Sequence, residues 1–218
     1  MTEPDREPMS AYDALTTTRS VRKRLDLQRP VDLAIVKECL DIALQAPSGS
    51  NRQTWHFVVI DDATTRQAIG EIYRQTVVEY LDSPGSAAKL FADQPERAAV
   101  QARIGASVAH LGDVMGQVPV QVLGCIQTRA GLGTDNQAGL WGSVLPAAWS
   151  FMLALRSHGL ASAWTTLHLS REREVAEILG LPDDVHQGVL MPVAHPIGAD
   201  FHRAPRAPLE EVLHLNHW

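Results

Sequence analysis

Two cysteines in 218 residues, far apart at positions 39 and 125, leave no room for a disulfide framework or a Cys-x-x-Cys motif. Each sits in an apolar pattern, so both read as buried thiols. Nine histidines are scattered along the chain, and their only close pair, His214 and His217, lies at the C-terminal end. With no His-Glu-x-x-His either, no metal site is expected. Long apolar runs are also missing: the longest, 144–155, falls short of the ~18 residues that a spanning helix needs. The opening residues, MTEPDREPMS, are polar with no apolar centre, which excludes a signal peptide. Residues 1–10 read as a disordered tail, and the protein as cytoplasmic. Positive charge is in deficit, with 19 Lys and Arg against 25 Asp and Glu and a net charge of −6 at pH 7. That balance argues against a general nucleic-acid binder. Gly-x-Gly-x-x-Gly after a strand, a Walker A loop and Gly-x-Ser-x-Gly are all absent. GLGTDN at 131–136 begins like a dinucleotide loop, lacks the third glycine, and reads as a connector. Ser48 and Ser50 have no recognisable nucleophile setting, so a chemistry that needs no protein nucleophile gains weight.

What remains is the composition of one globular domain, nearly half apolar. Ser10 is a plausible N-cap for a short helix in which Tyr12 and Leu15 share a face. Asp32 caps a second helix whose Leu33, Val36, Leu40, Ala43 and Leu44 recur at helical spacing up to Pro47. TWHFVVI follows as a strand with a nearly continuous apolar end, which suggests burial on both faces. Helices are expected over 64–80 and 96–115, with the irregular LDSPGSAAKLFADQ between them. VPVQVLGCIQT is a second strand. The helix at 140–158 is apolar on most sides, implying protein all round it and a natural subunit interface. GLASAWTTLHL reads as a third strand, REREVAEILGLP as a helix ended by Gly180 and Pro182, and GVLMPVAHPIG as a fourth strand. Pro192 and Pro196 push that last strand toward an edge or a bulge. Residues 201–218 look like an extended arm. This order is α+β, with a sheet wrapped by helices.

One feature stands out in an acidic chain. RSVRKR packs Arg19, Arg22, Lys23 and Arg24 into six residues. Basic residues suit a helix C-terminus, where the macrodipole favours them. They also suit an anion clamp, because guanidinium forks grip phosphate through paired charge-assisted bonds, and Ser20 adds a hydroxyl. A second basic pair, Arg203 and Arg206, lies near the other end of the chain. Between them, LQAPSGSNRQTW places small residues at a helix-to-strand junction. Such residues let backbone groups approach a flat ligand, although Pro, Ser, Gly and Asn are ordinary loop formers too.

Arg19-Ser20-x-Arg22, then a capped helix, then Pro47-Ser48-x-x-Asn51-x-Gln53-x-Trp55, resembles the nitroreductase family of flavoproteins. GLASAWTTL, the closing strand and the Arg206 arm add support, and the resemblance runs from about residue 11, weakest between 80 and 137. It implies a nitroreductase-like α+β fold: a mostly antiparallel sheet wrapped by helices, in an obligate homodimer with FMN at the interface. By the same resemblance Arg19, Ser20, Val21 and Arg22 hold the phosphate, ribityl chain and ring edge. Pro47, Ser48, Gly49, Ser50 and Asn51 approach the flavin from the partner chain. Thr165, Thr166 and Leu167 line the ring, and Arg206, with Arg203 nearby, returns to the phosphate. The 140–158 helix becomes the dimer helix. Two positions depart from the family pattern: Thr18 replaces a basic residue, and Trp149 falls where Gln or Asn is usual.

The domain is then expected over 11–200, with 81–94 a lid or a mobile connector, and 201–218 the arm. The implied activity is hydride transfer from NAD(P)H through flavin N5 to a nitroaromatic, quinone or similar electron-poor molecule, by ping-pong turnover. No protein side chain is assigned a catalytic role, because the chemistry is the cofactor's. The alternatives are a flavin-destroying or dehalogenating relative and a non-catalytic FMN-storage protein.

Overall fold

The computed structural model describes residues 9–129 and 131–218. Most of the expected disordered tail, residues 1–8, therefore lies outside the described residues. Five strands form one sheet in the order β1-β5-β3-β2, with β4 also paired to β5, and every pairing is antiparallel. β5 (Val185–Pro196) is the spine. It runs along β3 (Val120–Gln127) on one edge, and on the other meets β4 (Ala161–Ser162) and β1 (Leu25–Asp26). β2 (Trp55–Ile60) closes the far side of β3.

Helices cover both faces, and the alternation of side chains along a strand divides the core accordingly. Leu123, Cys125 and Leu190 join Ile69, Tyr73 and Val77 of α3 (Ala63–Asp82) and Val108 and Leu111 of α4 (Pro95–Val114). Val120, Val122, Met191 and Val193 point the opposite way, toward Val36 and Cys39 of α2 (Leu33–Ala43) and Phe151, Met152 and Leu155 of α5 (Ala138–Ser157). Both cysteines are free and buried, and burial pushes each thiol pKa up to about 12.

The local signals explain the helix ends. Ser10 caps α1 (Ala11–Thr17) by accepting from the Asp13 amide, and Asp32 caps α2 by accepting from the Ala34 amide. α2 stops at Ala43, short of Pro47, which leaves Leu44 exposed. α6 (Glu172–Leu179) ends on Gly180 at φ 64°, with the Leu181 amide returning to the Ala176 carbonyl.

Three expectations are corrected. β5 is central rather than at an edge; of the two expected alternatives it takes the bulge, placed at Gly188 rather than at a proline. Leu190 exchanges both backbone bonds with Thr165, so Pro192, two residues on, faces the same edge, where residues 163–164 interrupt the neighbouring strand. The ladder to β3 is therefore complete, and the irregularity falls at Gly188, the extra residue opposite Gly124–Cys125. GLASAWTTLHL forms only the two residues of β4 and the Thr165–Leu190 bridge before a 3-10 turn, Leu167–Arg171. Finally, β2 is an edge strand with His56 exposed and Phe57–Val59 half-buried, so its faces are not both covered.

Likewise α5 is not enclosed on all sides within one chain: Trp149 is 37% exposed. By length and composition α5 would suffice to cross a membrane, but its Val144, Ala147, Ala148, Phe151 and Leu155 are buried in the core.

α3 meets the 3-10 turn Met115–Gln117 backbone to backbone. A Cβ on Gly70 would lie 2.4 Å from the Gly116 nitrogen, whereas one on Gly85 would meet nothing within 4 Å. Gly70→Ala is expected to lower unfolding free energy in urea titrations by about 2–3 kcal/mol. Gly85→Ala is expected to stay within about 0.5 kcal/mol of the parent.

Candidate functional site

The Arg19–Arg22 segment has no helix or strand of its own. It is held by the interrupted strand beside it: the Val21 amide donates to the Ser162 carbonyl at 2.9 Å, and the Trp164 amide donates to Ser20 Oγ at 2.9 Å. Val21 is buried in the core and serves as the anchor. Ser20 keeps its hydroxyl hydrogen to offer, since only its acceptor side is used.

Arg22 is half-buried, and its Nε has no hydrogen-bond partner. Burial lowers its pKa, while the nearby phenols of Tyr73 and Tyr80 act in the opposite direction. The Tyr73 hydroxyl and Thr165 Oγ1 share a buried hydrogen bond of 2.7 Å. Burial raises the Tyr73 pKa, opposed by that bond and by the Arg22 charge. Arg22, Tyr73, Tyr80 and Thr165 thus meet at one place, from three separate parts of the chain.

Arg19 brings in the C-terminal arm. Burial lowers its pKa first, and repulsion from Arg206 and then Arg24 lowers it further. Arg24 donates to the Asp200 carbonyl and stacks over Phe201 at 4.6 Å; Arg206 donates, among the described residues, only to the carbonyl of adjacent Pro205. Among the described residues none of these three guanidinium groups is paired with a carboxylate. Arg203 is engaged differently, with its guanidinium on the Tyr12 hydroxyl and over the Tyr12 ring. Thr166 is exposed, and Leu167 packs against the core.

The Pro47–Asn51 elbow lies elsewhere, on α5. The Gly49 amide donates to Ser143 Oγ at 3.1 Å, the Gln53 amide to Ser48 Oγ at 3.1 Å, and Gln53 Nε2 to Asn51 Oδ1 at 3.0 Å. Ser50, Asn51 and Gln53 all hold left-handed backbone, at φ 53°, 52° and 50°. Pro47 is exposed, as are Gly49 to Gln53. Among the described residues no hydrogen bond joins this elbow to the arginine patch.

The sequence reading missed Tyr73 and Tyr80. Their signal was available: both fall on the apolar stripe of α3 with Ile69 and Val77, and a tyrosine on a buried stripe needs a partner for its hydroxyl. Arg24 was noticed only as part of a basic run. His168 was missed altogether. It is fully buried, neither ring nitrogen has a partner, and burial lowers its pKa to about 4.

The chain matches the nitroreductase family over residues 15–198. It belongs to that family. The resemblance first carried by Arg19-Ser20-x-Arg22 and the elbow therefore holds across most of the chain. Among its relatives is an NADH dehydrogenase of Thermus thermophilus, 29% identical over 217 residues, covering 94% of this chain and 95% of the other. Among solved structures, a point mutant of the FMN and NADPH-dependent nitroreductase NfnB from Sphigopyxis sp. strain HMH is 26% identical. It has a TM-score of 0.70 and covers 96% of this chain and 100% of its own. An oxidized iodotyrosine deiodinase bound to FMN and 3-iodo-L-tyrosine has a TM-score of 0.69 at 22% identity, covering 95% and 98%, and shows the shared fold alone.

His168 gives the protein a pH-dependent weakness. Above pH 6.5 the residue is neutral whether folded or not. As pH falls below 6.5, the unfolded chain gains a proton that the folded chain refuses until about pH 4, so stability declines across that window. The difference amounts to about 3 kcal/mol. Denaturant titrations from pH 7 to pH 4 should show this decline, and His168→Leu should flatten that part of it.

Proposed function

We propose that this nitroreductase-family chain is an FMN-dependent oxidoreductase. It moves hydride from NAD(P)H to a nitroaromatic, quinone or similar electron-poor acceptor, with ping-pong turnover at one shared site. One observation carries the reading. In a chain of net charge −6, Arg24 and Arg206 press their charge on Arg19, none of the three is paired with a carboxylate among the described residues, and the same short segment carries the Ser20 hydroxyl and the buried Nε of Arg22. Unpaired positive charge held against its own repulsion is stabilised by a polyanion, and a flavin phosphate carries nearly two negative charges. The residues present fit FMN.

When bound, FMN supplies a ring that accepts and releases hydride. The chain's part is to bind and orient. Arg19 and Arg206 hold the phosphate, with Arg24 adding positive field and Ser20 a hydrogen bond. Arg22 holds the ring edge on which negative charge collects, and its half-buried setting strengthens that attraction. Tyr73 and Thr165, bonded to each other, close the wall behind it, and Thr166 and Leu167 complete the ring's surroundings. Arg203 reaches the same neighbourhood, steered by Tyr12.

The elbow completes the site from a second copy of the chain. Its hydrogen bonds are made to α5 and within itself, and the faces available for pairing are apolar: Trp149 on α5, Tyr12 and Leu15 on α1, and Leu209, Val212, Leu213, Leu215 and Trp218 on the arm. We assign residues 11–200 to one domain in a homodimer, 201–218 to the arm, and the protein to the cytoplasm. The 81–94 segment acts as lid. It leaves α3 beside Tyr80, whose hydroxyl accepts from the Ala87 amide, so its first turn is tied to a residue that faces Arg22.

Purified protein should be yellow and dimeric, and should bleach anaerobically on adding NADPH. A coloured protein that does not bleach would be a storage protein, and steady oxidation only with halogenated aromatics would favour the dehalogenating alternative. Arg19→Ala should raise the FMN dissociation constant, read by flavin fluorescence, by about tenfold or more, the worth of one charged hydrogen bond. An unaltered constant would remove Arg19 from the phosphate site, and monomeric protein with full activity would remove the elbow from the chemistry.

A further inference from the structure

A cavity of about 890 Å3 opens between the elbow, the end of β3 and the first turn of α5. Its lining includes Gly49, Ser50, Gln127 and Ser143 together with Arg52 and Arg129. That volume suits a drug-sized molecule. None of its lining residues carries a carboxylate. The neighbouring acid, Asp184, is already engaged: Gln127 Nε2 donates to its Oδ2 at 2.9 Å, and the Thr128 amide donates to its carbonyl. Among the described residues neither Arg52 nor Arg129 has an ion-pair or hydrogen-bond partner through its side chain. Both are exposed.

The backbone around Arg52 is unusual. It is right-handed at Arg52 itself, between left-handed Asn51 and left-handed Gln53. Non-glycine residues rarely adopt that conformation, and its energy must be offset by the surrounding structure. Here the offset is local: Ser48 Oγ takes the Gln53 amide, and Asn51 and Gln53 bond side chain to side chain. The result sets the direction of the Arg52 side chain by the fold of the elbow. A flexible loop would not do so.

We propose that Arg52 and Arg129 form a second anion subsite, separate from the Arg19–Arg24–Arg206 patch, that receives the carboxylate or phosphate of a reactant. This rests on the proposed function, which brings the elbow of one chain to the flavin of the other. Two guanidinium groups in a carboxylate-free cavity prefer an anionic ligand to its neutral isostere, because each fork makes charge-assisted bonds that an amide returns only weakly. The subsite therefore selects electron-poor aromatics bearing an acid group, or the phosphate-bearing end of the hydride donor.

The test uses the whole FMN-loaded protein, with Arg52→Gln, Arg129→Gln and the double variant. Two matched pairs of reactants are compared: 4-nitrobenzoate against 4-nitrobenzamide as oxidant, and NADPH against NADH as donor. FMN content and anaerobic bleaching are recorded first, and calorimetric titration of nitrobenzoate and nitrobenzamide reads the subsite without turnover. The expected result is a loss of about tenfold or more in the ratio of kcat/KM for the charged over the neutral member of one pair. A shift in the oxidant pair assigns the anion to the substrate, and a shift in the donor pair assigns it to the dinucleotide. Arg52→Lys should recover part of the ratio. Equal losses for charged and neutral members, no change in either ratio or in the titrations, or loss of FMN from the variants would each overturn the proposal. Failure of the parent protein to bleach would instead overturn the function on which it rests, and the titrations would still decide whether the anion binds.

Discussion

The site depends on a pair of hydrogen bonds between distant segments: Trp164 to Ser20, 144 residues apart, and, beside it, Val21 to Ser162. They dock a stretch of basic chain onto the edge where the sheet is incomplete. β5 has a continuous partner in β3 on one side, but on the other the strand breaks after Ser162 and resumes only as the Thr165–Leu190 bridge. In the register that pairs Thr165 with Leu190, the Trp164 amide and the Ser162 carbonyl both point away from β5. That outward edge takes Ser20 and Val21, while Thr165, its backbone bonded to β5, meets the Tyr73 hydroxyl through its side chain. Pro192 belongs to the same arrangement, because the edge it faces is the one where no amide partner is required.

That docking has an electrostatic consequence. Arg19 is drawn close to Arg24 and, through the returning arm, to Arg206, and each approach raises the free energy of a charge that a guanidinium does not relinquish at any ordinary pH. The folded chain thus stores repulsion that an anion releases. Anything that binds the folded state and not the unfolded one stabilises it by mass action, so an anion held by these arginines would raise conformational stability. The hydrophobic core is indifferent to this, since its two layers, split by the sheet, are closed by α3 and α4 on one side and α2 and α5 on the other.

Much of the framework was legible locally. Asp32 before an apolar stripe, Gly180 before Pro182 and the all-apolar β3 each state their role within a few residues, because caps, left-handed turns and doubly covered strands are short-range phenomena. The family motif likewise pointed to Arg19, Ser20 and Arg22. What could not be read were pairings over long separations. Nothing near Pro192 says that its neighbour strand is broken, and nothing near Tyr73 says that its hydroxyl meets a threonine 92 residues later. GLASAWTTLHL has strand composition throughout, and its pairing breaks where Ala163 stands opposite Pro192, which has no amide to donate. Arg203 looked equivalent to Arg206 in sequence, yet Tyr12 captures it, since α1 happens to lie alongside the arm.

The elbow answers a different question, which is why such small residues interrupt two well-formed elements. Three left-handed residues in five would be an improbable choice for a simple connector, where glycine is available at no steric penalty, yet the elbow's glycine, Gly49, is not one of the three. Asparagine and serine tolerate that region while keeping polar side chains, and here those side chains hold the turn rigid through Ser48, Asn51 and Gln53. A rigid, polar, exposed turn fastened to α5 at Ser143 has little to contribute to its own chain's core. It is suited to presentation, and in the proposed dimer the surface it would meet is the arginine patch of the second copy. In the proposed dimer, a site divided this way would make formation of the cofactor pocket and association of two chains one event.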